Sequence, residues 1–329
     1  MAIHPSRASV VNSRGPDWLV TAATIARRFY LEQRSKVDIA NELGMSRFQV
    51  ARVLDEAHRL GLVEVSITLP LAIDAGLSDR LQRRLGLRRA IVVGAGDLEL
   101  PEAQIRSTIG AVLARLLTEL VEPQMTLGVA CSRTMVQMAE QVEQLAPCTV
   151  VQISGTMAGT HPAMGGVEIV ARLAGISGGQ AHQVYSPLLV RDETVAAGLL
   201  TEAGIAQTFA HYDGIDVAVV PIGGWGPATT TVFAALTDDE RADAAARGVV
   251  GEMTGRLFDA QGRHPEAAVD ARLVAITLDQ VRAVPLVVAS AYGADRAEAV
   301  LAAVRGRFVD VLVADCPLAR RLLELDPPH

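Results

Sequence analysis

The chain has 329 residues, half of them apolar, a formal net charge of −7 and three cysteines. That length exceeds one small domain and suits two, one of them large enough to bury a substantial core. No uninterrupted apolar run approaches the roughly 18 to 20 residues of a membrane span, and Cys131, Cys148 and Cys316 lie too far apart for a metal-binding spacing, so membrane and zinc-module classes are set aside. No metal or cofactor is expected, and a start without a secretory apolar core points to a cytoplasmic protein.

In chain order, residues 1–14 read as a loose arm. Residues 17–31 place Leu19, Ala22, Ile25, Ala26 and Phe29 on one stripe of a supporting helix. The next stretch, 35–62 (SKVDIANELGMSRFQVARVLDEAHRLGL), reads as two short helices joined at Gly44. Val37, Ile39, Ala40 and Leu43 are expected on one apolar face, with Ser35 as the cap. Ser46 would cap the second helix, whose Val50, Val53, Leu54 and Ala57 turn inward while Arg47, Gln49 and Arg52 turn outward. That pattern is a helix-turn-helix.

In such a motif the second helix enters the major groove by its N-terminal residues, where Arg takes two guanine acceptors and Gln pairs with adenine. Lys36 and Ser46, at the two helix starts, complete an expected contact set of Lys36, Ser46, Arg47, Gln49 and Arg52 on double-stranded operator DNA. A solvated helical hairpin is the plainer alternative. Residues 62–68 (LVEVSIT) alternate like a strand and would form a wing. Residues 1–68 hold nine Arg or Lys against seven Asp or Glu, so the head is the basic part of an acidic chain. With so modest a surplus, DNA affinity would come from placed contacts summed over a multimer.

Residues 70–88 read as a linker and connecting helix, which bounds a head at 1–69 and a body at 89–329. In the body, short apolar runs alternate with longer amphipathic segments, the pattern of a parallel sheet with helices on its faces. Strands are expected at 90–93, 125–130, 149–153, 183–185, 216–222, 273–276, 286–289 and 309–314, with helices at 102–121, 134–144, 166–174, 193–208, 238–247, 294–304 and 318–323. The fold class is therefore α/β: an all-α winged helix-turn-helix followed by a doubly wound, Rossmann-like parallel-sheet domain.

Ligands in such sheets sit beyond the carboxyl ends of the strands. Four loops fall there: CSRT (131–134), whose hydroxyls, helix start and Arg133 suit an anion; SGTMAG (154–159); GGWGP (223–227); and AYGADR (291–296), which ends in Arg296. Lys36 is the only lysine in the chain, so the body cannot form a lysine Schiff base.

These segments resemble the SorC-type sugar-responsive transcriptional regulators. The likeness rests on DIANELGMSRFQVARVLDEAHRLGLVEV in the head and on LGVACSRT, VVQISG, VARLAG, YSPLLV, IDVAVVPIGGW, VVGEMTGRLFDAQG and FVDVLVAD in the body. It implies a winged helix-turn-helix joined to a sugar or sugar-phosphate sensor domain similar to glucosamine-6-phosphate deaminase and ribose-5-phosphate isomerase, working as a dimer or tetramer. It also implies an effector site of Ser132, Arg133, Thr134, Gly155, Thr156, Glu252 and Arg296, with no catalytic residue. Two departures stand out: Arg296 occupies a place where the family often has lysine, and Ser132 one where glycine is common. Arginine grips phosphate with two parallel hydrogen bonds, so the first swap preserves an anion site. The competing class is a sugar-phosphate isomerase or deaminase in which His211, Asp213 or Asp216 serves as acid and base.

Overall fold

The computed structural model describes residues 15–63, 73–94, 100–157 and 165–326. The chain divides into two compact units, Met1–Thr68 and Leu69–His329.

The first unit contains α1 (Pro16–Tyr30), α2 (Lys36–Leu43) and α3 (Arg47–Arg59). Ile25, Ile39 and Val50, one from each helix, are fully buried against one another with Leu54. Local signals fix the helix ends. The Ser35 hydroxyl accepts from the Asp38 N–H at 3.1 Å, and Gly44 closes α2 in the left-handed conformation, which leaves the chain pointing back for α3. A capping box starts α3: Ser46 Oγ accepts from the Gln49 N–H at 3.2 Å, and Gln49 Oε1 accepts from the Ser46 N–H at 2.8 Å. Val37, expected on the apolar face of α2, is instead 51% exposed. At about 100° per residue it lies some 200° round the helix from Ile39, and a helix of eight residues buries one stripe only. The wing expected at 62–68 lies, from residue 64 onward, outside the described residues.

The second unit runs α4 (Ala75–Leu85), β1 (Arg89–Val93), α5 (Glu102–Leu120), β2 (Thr126–Val129), α6 (Arg133–Gln141) and β3 (Thr149–Gln152). Next come α7 (Gly166–Ser177), β4 (Ala181–His182), α8 (Glu193–Thr201), α9 (Ala203–Phe209) and β5 (Val217–Pro221). The remainder is β6 (Gly223–Gly224), α10 (Thr231–Ala235), α11 (Asp238–Ala246), β7 (Val249–Met253), β8 (Arg256–Asp259), α12 (Leu278–Ala283), β9 (Leu286–Ala291), α13 (Ala297–Arg305), β10 (Val311–Asp315) and α14 (Cys316–Glu324).

Seven strands form one parallel sheet in the order β1-β10-β9-β5-β2-β3-β4. Alternate residues of each strand feed cores on opposite faces. On β5, Ala218 and Val220 join the core built by α4, α13 and α14, while Val217 and Val219 join the core built by α5, α6 and α7. The sheet is thus doubly wound. Helix α4 contributes Leu77, Leu81 and Leu85 to the first of these cores, so it is packed into the body and is more than a connector.

Three departures from the sequence expectations matter for the site. A second, antiparallel sheet of β6, β7 and β8 was not expected, and it carries Glu252. The strand expected at 273–276 is only a pair of isolated bridges, Leu189 to Leu273 and Ser154 to Ala275, and its apolar residues are buried without a ladder. No strand forms at the expected 183–185; the edge strand is Ala181–His182, and beyond it the side chain of buried Gln152 takes the Val184 N–H at 3.1 Å in place of a backbone partner.

Helix α6, which opens at the CSRT loop, is held by close contact with α5. A Cβ on Gly110 would lie 2.8 Å from the carbonyl carbon of Gln137 and 2.9 Å from the Met138 nitrogen, both backbone atoms of α6. Replacing Gly110 by Ala gains about 0.5 to 1 kcal/mol of helix propensity but forces the helices apart at a cost of about 1 to 3 kcal/mol. Gly110→Ala is expected to lower the urea midpoint of the body; a raised midpoint would show that the two helices are not in close contact.

Candidate functional site

The expected DNA-contact residues lie at the start of α2 and along α3. The Arg52 side chain is exposed and, among the described residues, makes no hydrogen bond or ion pair. The Arg47 guanidinium sits 4.8 Å from the centre of the Phe48 ring, and the Lys36 ammonium 5.4 Å from that of Phe29. Ser46 and Gln49 are different. Each is engaged with the other in the capping box, so the Gln49 carbonyl oxygen, needed for a two-bond contact to adenine, is already satisfied. They build the helix start that carries Arg47 and Arg52.

In the body, β2 leads outward to β3 while β5 leads the other way to β9, so the order of strands reverses between β2 and β5. A cavity of about 460 Å³ lies at that reversal, beyond the carboxyl ends of β2, β3, β5 and β9. Of the expected effector residues, Ser132, Arg133, Thr134, Glu252 and Arg296 line it; Gly155 and Thr156 do not. Gly155 is a packing position: a Cβ there would lie 2.4 Å from the Pro187 carbonyl oxygen, and its N–H bonds the Val274 carbonyl. Thr156 pairs by its backbone with Ser186 and Leu188. Their neighbours Ser154 and Met157 reach the cavity instead.

At one side of the cavity α6 begins. Ser132 Oγ accepts from the Met135 N–H at 3.2 Å as the helix cap, which leaves its own hydroxyl proton available. First-turn N–H groups and the positive end of the helix dipole favour an anion here. Arg133 stands beside them, half-exposed, 3.9 Å from Glu102. Glu102 is shared further, by the Tyr292 hydroxyl at 2.9 Å and by Arg106. Partial burial opposes ionisation of Glu102, yet the Tyr292 hydroxyl, Arg106 and Arg133 hold its carboxyl below the usual range.

Arg296 stands at the start of α13. Its guanidinium stacks 4.8 Å from the Tyr292 ring and donates to the Tyr292 carbonyl at 2.7 Å, to Asp295 at 3.3 Å and to the Ala228 carbonyl at 3.5 Å. Tyr292 therefore touches both arginine systems, by its ring to Arg296 and by its hydroxyl to the carboxylate beside Arg133. The sequence pattern gave no sign of this role.

Glu252, on β7, is buried in the cavity wall. Its Oε1 accepts from the Thr230 hydroxyl at 2.8 Å and its Oε2 from the Gly255 N–H at 2.9 Å. It does not pair with Arg256, which is committed to Asp270 at 3.3 Å and to the carbonyls of Ala275 and Ile276. Sequence reasoning also missed residues 227–235, which bring Thr229, Thr230 and Thr231 into the wall. With Ser132, Thr134, Ser154, Thr254 and Ser290, these give a cavity rich in hydroxyls beside one carboxyl group and two arginines, a lining that pairs with a polyol bearing an anion.

Burial pushes the Glu252 carboxyl above its ordinary value of 4.5; the Gly255 N–H, the Thr230 hydroxyl and the Arg296 charge only partly offset this. The native protein then keeps a proton that the unfolded chain has released, so the stability tied to that proton is complete below pH 4.5 and is lost as pH rises through the folded value. The urea stability of the wild type relative to Glu252→Gln is expected to fall as pH rises from 4.5. A difference that rises with pH would mean that the carboxylate is stabilised by its partners.

Residues 70–324 match the Sugar-bind family model, described as "Putative sugar-binding domain". The chain is 27% identical over 307 residues to the transcriptional regulator LsrR of Enterobacter sp. (strain 638), covering 92% of both chains. It is 25% identical over 311 residues to the sorbitol operon regulator of Klebsiella pneumoniae, covering 91% of this chain and 96% of that protein. Its fold superimposes on the crystal structure of the full-length Klebsiella pneumoniae sorbitol operon regulator SorC with a TM-score of 0.70 at 23% identity, over 94% of this chain and 100% of that one. Sugar-binding module, cavity at the strand reversal and helix-turn-helix head agree: the chain belongs to the SorC-type sugar-binding transcriptional regulators.

Proposed function

We propose that this protein binds operator DNA of a carbohydrate-catabolism operon through Lys36, Arg47 and Arg52, and that a sugar or sugar phosphate held in the cavity controls that binding. The single observation that carries the reading is a cavity lined by hydroxyls, a carboxyl group and two arginines in one unit of a chain whose other unit exposes an arginine-bearing second helix of a helix-turn-helix. The relatives named as sugar-operon regulators support it. The effector's anionic group would lie at Ser132, Arg133 and Thr134, with Arg296 adding charge, and its hydroxyls would lie toward Glu252 and the threonines. No bond of the effector need be made or broken; the requirement is a difference in its affinity for DNA-competent and DNA-incompetent states. The protein would act in the cytoplasm, as a homo-oligomer whose paired heads sum their phosphate contacts.

The enzymatic reading places its acid and base among His211, Asp213 and Asp216. All three precede β5, at the end of the strand opposite the cavity. Asp216 accepts from the Thr126 N–H at 2.8 Å, Asp213 from the Gln280 amide at 2.9 Å, and the His211 ring packs 3.9 Å from that of His182. Each serves packing or strand ends.

Fluorescence anisotropy on the chain's own upstream DNA, with and without a panel of sugars and sugar phosphates, tests the proposal. Salt-sensitive, sequence-selective binding altered by one of them is expected, and turnover of a sugar phosphate by a chain without DNA affinity would overturn it. Arg52→Ala should weaken specific DNA binding by about 1 to 3 kcal/mol and relax selectivity at one base pair. Arg133→Ala should weaken the response to the phosphorylated effector about tenfold or more, the loss of one charge-assisted contact, while sparing DNA affinity in the absence of effector.

A further inference from the structure

Phe48, the second residue of α3, is 68% exposed. The buried side of α3 is defined by Val50, Leu54 and Ala57. At about 100° per residue, Phe48 and Arg52 lie on the opposite side, one turn apart and roughly 5 to 6 Å between Cβ atoms. Asp55 lies on that side one turn further on and Arg59, tied to Glu56, one turn beyond it, so the acidic charge of the outward face falls toward its C-terminal half. Gln49 points elsewhere and is committed to the capping box. Arg47 packs over the Phe48 ring and limits its motion. An isolated exposed apolar residue on a surface is ordinary. A large ring projecting from the first turn of the second helix of a helix-turn-helix, beside Arg47 and Arg52, which form no ion pair among the described residues, is placed where base edges are met.

We propose that Phe48 is a specificity-determining residue that packs against the 5-methyl group of a thymine in the major groove of the operator, within about two base pairs of the base met by Arg52. This rests on the DNA-binding reading of the head. The chemistry fits thymine alone: a phenyl ring offers no hydrogen bond, and the thymine methyl is the apolar mark that the major groove displays. The flanking Arg47 and Arg52 supply the charge that draws the acidic duplex to the ring.

The test uses the full chain. Duplexes are selected from a randomised pool with the wild-type protein, and each thymine of the selected sequence is then replaced in turn by deoxyuridine, which removes only the methyl group. At one thymine per half-site the replacement should weaken wild-type binding about three- to fivefold, as expected for one apolar carbon returned to water. Phe48→Ala should bind the thymine and uracil duplexes equally while keeping its selectivity at the base read by Arg52, and Phe48→Leu should restore part of the difference. The proposal fails if no uracil replacement weakens wild-type binding, or if Phe48→Ala retains the discrimination. It fails equally if Phe48→Ala changes the oligomer mass with thymine dependence intact, for then the ring covers another copy of the chain. A pool that yields no selected sequence overturns DNA recognition itself, a result distinct from selection without methyl dependence.

Discussion

The reversal of strand order between β2 and β5 is the constraint from which the site follows. Inside a parallel sheet each strand's N–H and C=O groups are consumed by its neighbours, and the last ladder pair between these two is Val129 with Val219. Beyond it the chain from β2 must turn toward β3 and the chain from β5 toward β9, so the two loops part and cannot fill the gap between them. The residues that line the cavity are arranged around that opening. Helix α6 starts at its edge, fixed there by contact with α5 at Gly110, and β9 delivers Tyr292 and the turn that carries Arg296. Asp315, the cap of α14, accepts from the Gly293 N–H and so anchors the same turn from the neighbouring strand.

The parallel sheet was legible because buried strands read as short apolar runs, and seven of those runs pair directly with strands or lie within two residues of them. The antiparallel sheet was not. Met253 pairs with Arg256 across a two-residue turn at Thr254 and Gly255, both with positive φ. Turns of that type are normally announced by Asn-Gly or Asp-Gly, and Thr in the first place hides the hairpin. Glu252 could thus be assigned to the effector site only through family resemblance, with no account of what would hold it. The helix expected at 193–208 is similarly split. Glu202 takes an extended conformation and both ends α8 and begins α9, which no proline or glycine at that position foretells.

In the head, the caps were legible and the outward face was only partly so. Ser35, Gly44 and Ser46 act through their own backbone neighbours, and such local chemistry is readable from spacing alone. The role of Gln49 was open to two readings with the same spacing, because a glutamine three residues after a serine cap serves the cap as readily as it serves a base. Tyr292 was invisible for the opposite reason. Its partners, Glu102 and Arg296, are 190 and four residues away, and only the tertiary fold joins them.

The way the two arginines are held bears on how the cavity can discriminate. Arg133 is tied to Glu102 only at 3.9 Å with both side chains about half-exposed, an arrangement that contributes about 0 to 1 kcal/mol. A charge-assisted hydrogen bond to an anion in a more sheltered site contributes about 1.5 to 3 kcal/mol, so an entering anion can draw Arg133 from Glu102 with net gain. Arg296 differs: its short bond to the Tyr292 carbonyl and its stacking on the ring fix its orientation, while its contacts to Asp295 and Ala228 are long. It can add charge without moving. One arginine is thus pre-organised and the other is free to swing, and Tyr292 joins them, its ring stacked on Arg296 and its hydroxyl on the carboxylate beside Arg133. An anion entering the cavity would meet both arginines, whereas an uncharged polyol would meet only the hydroxyls and Glu252.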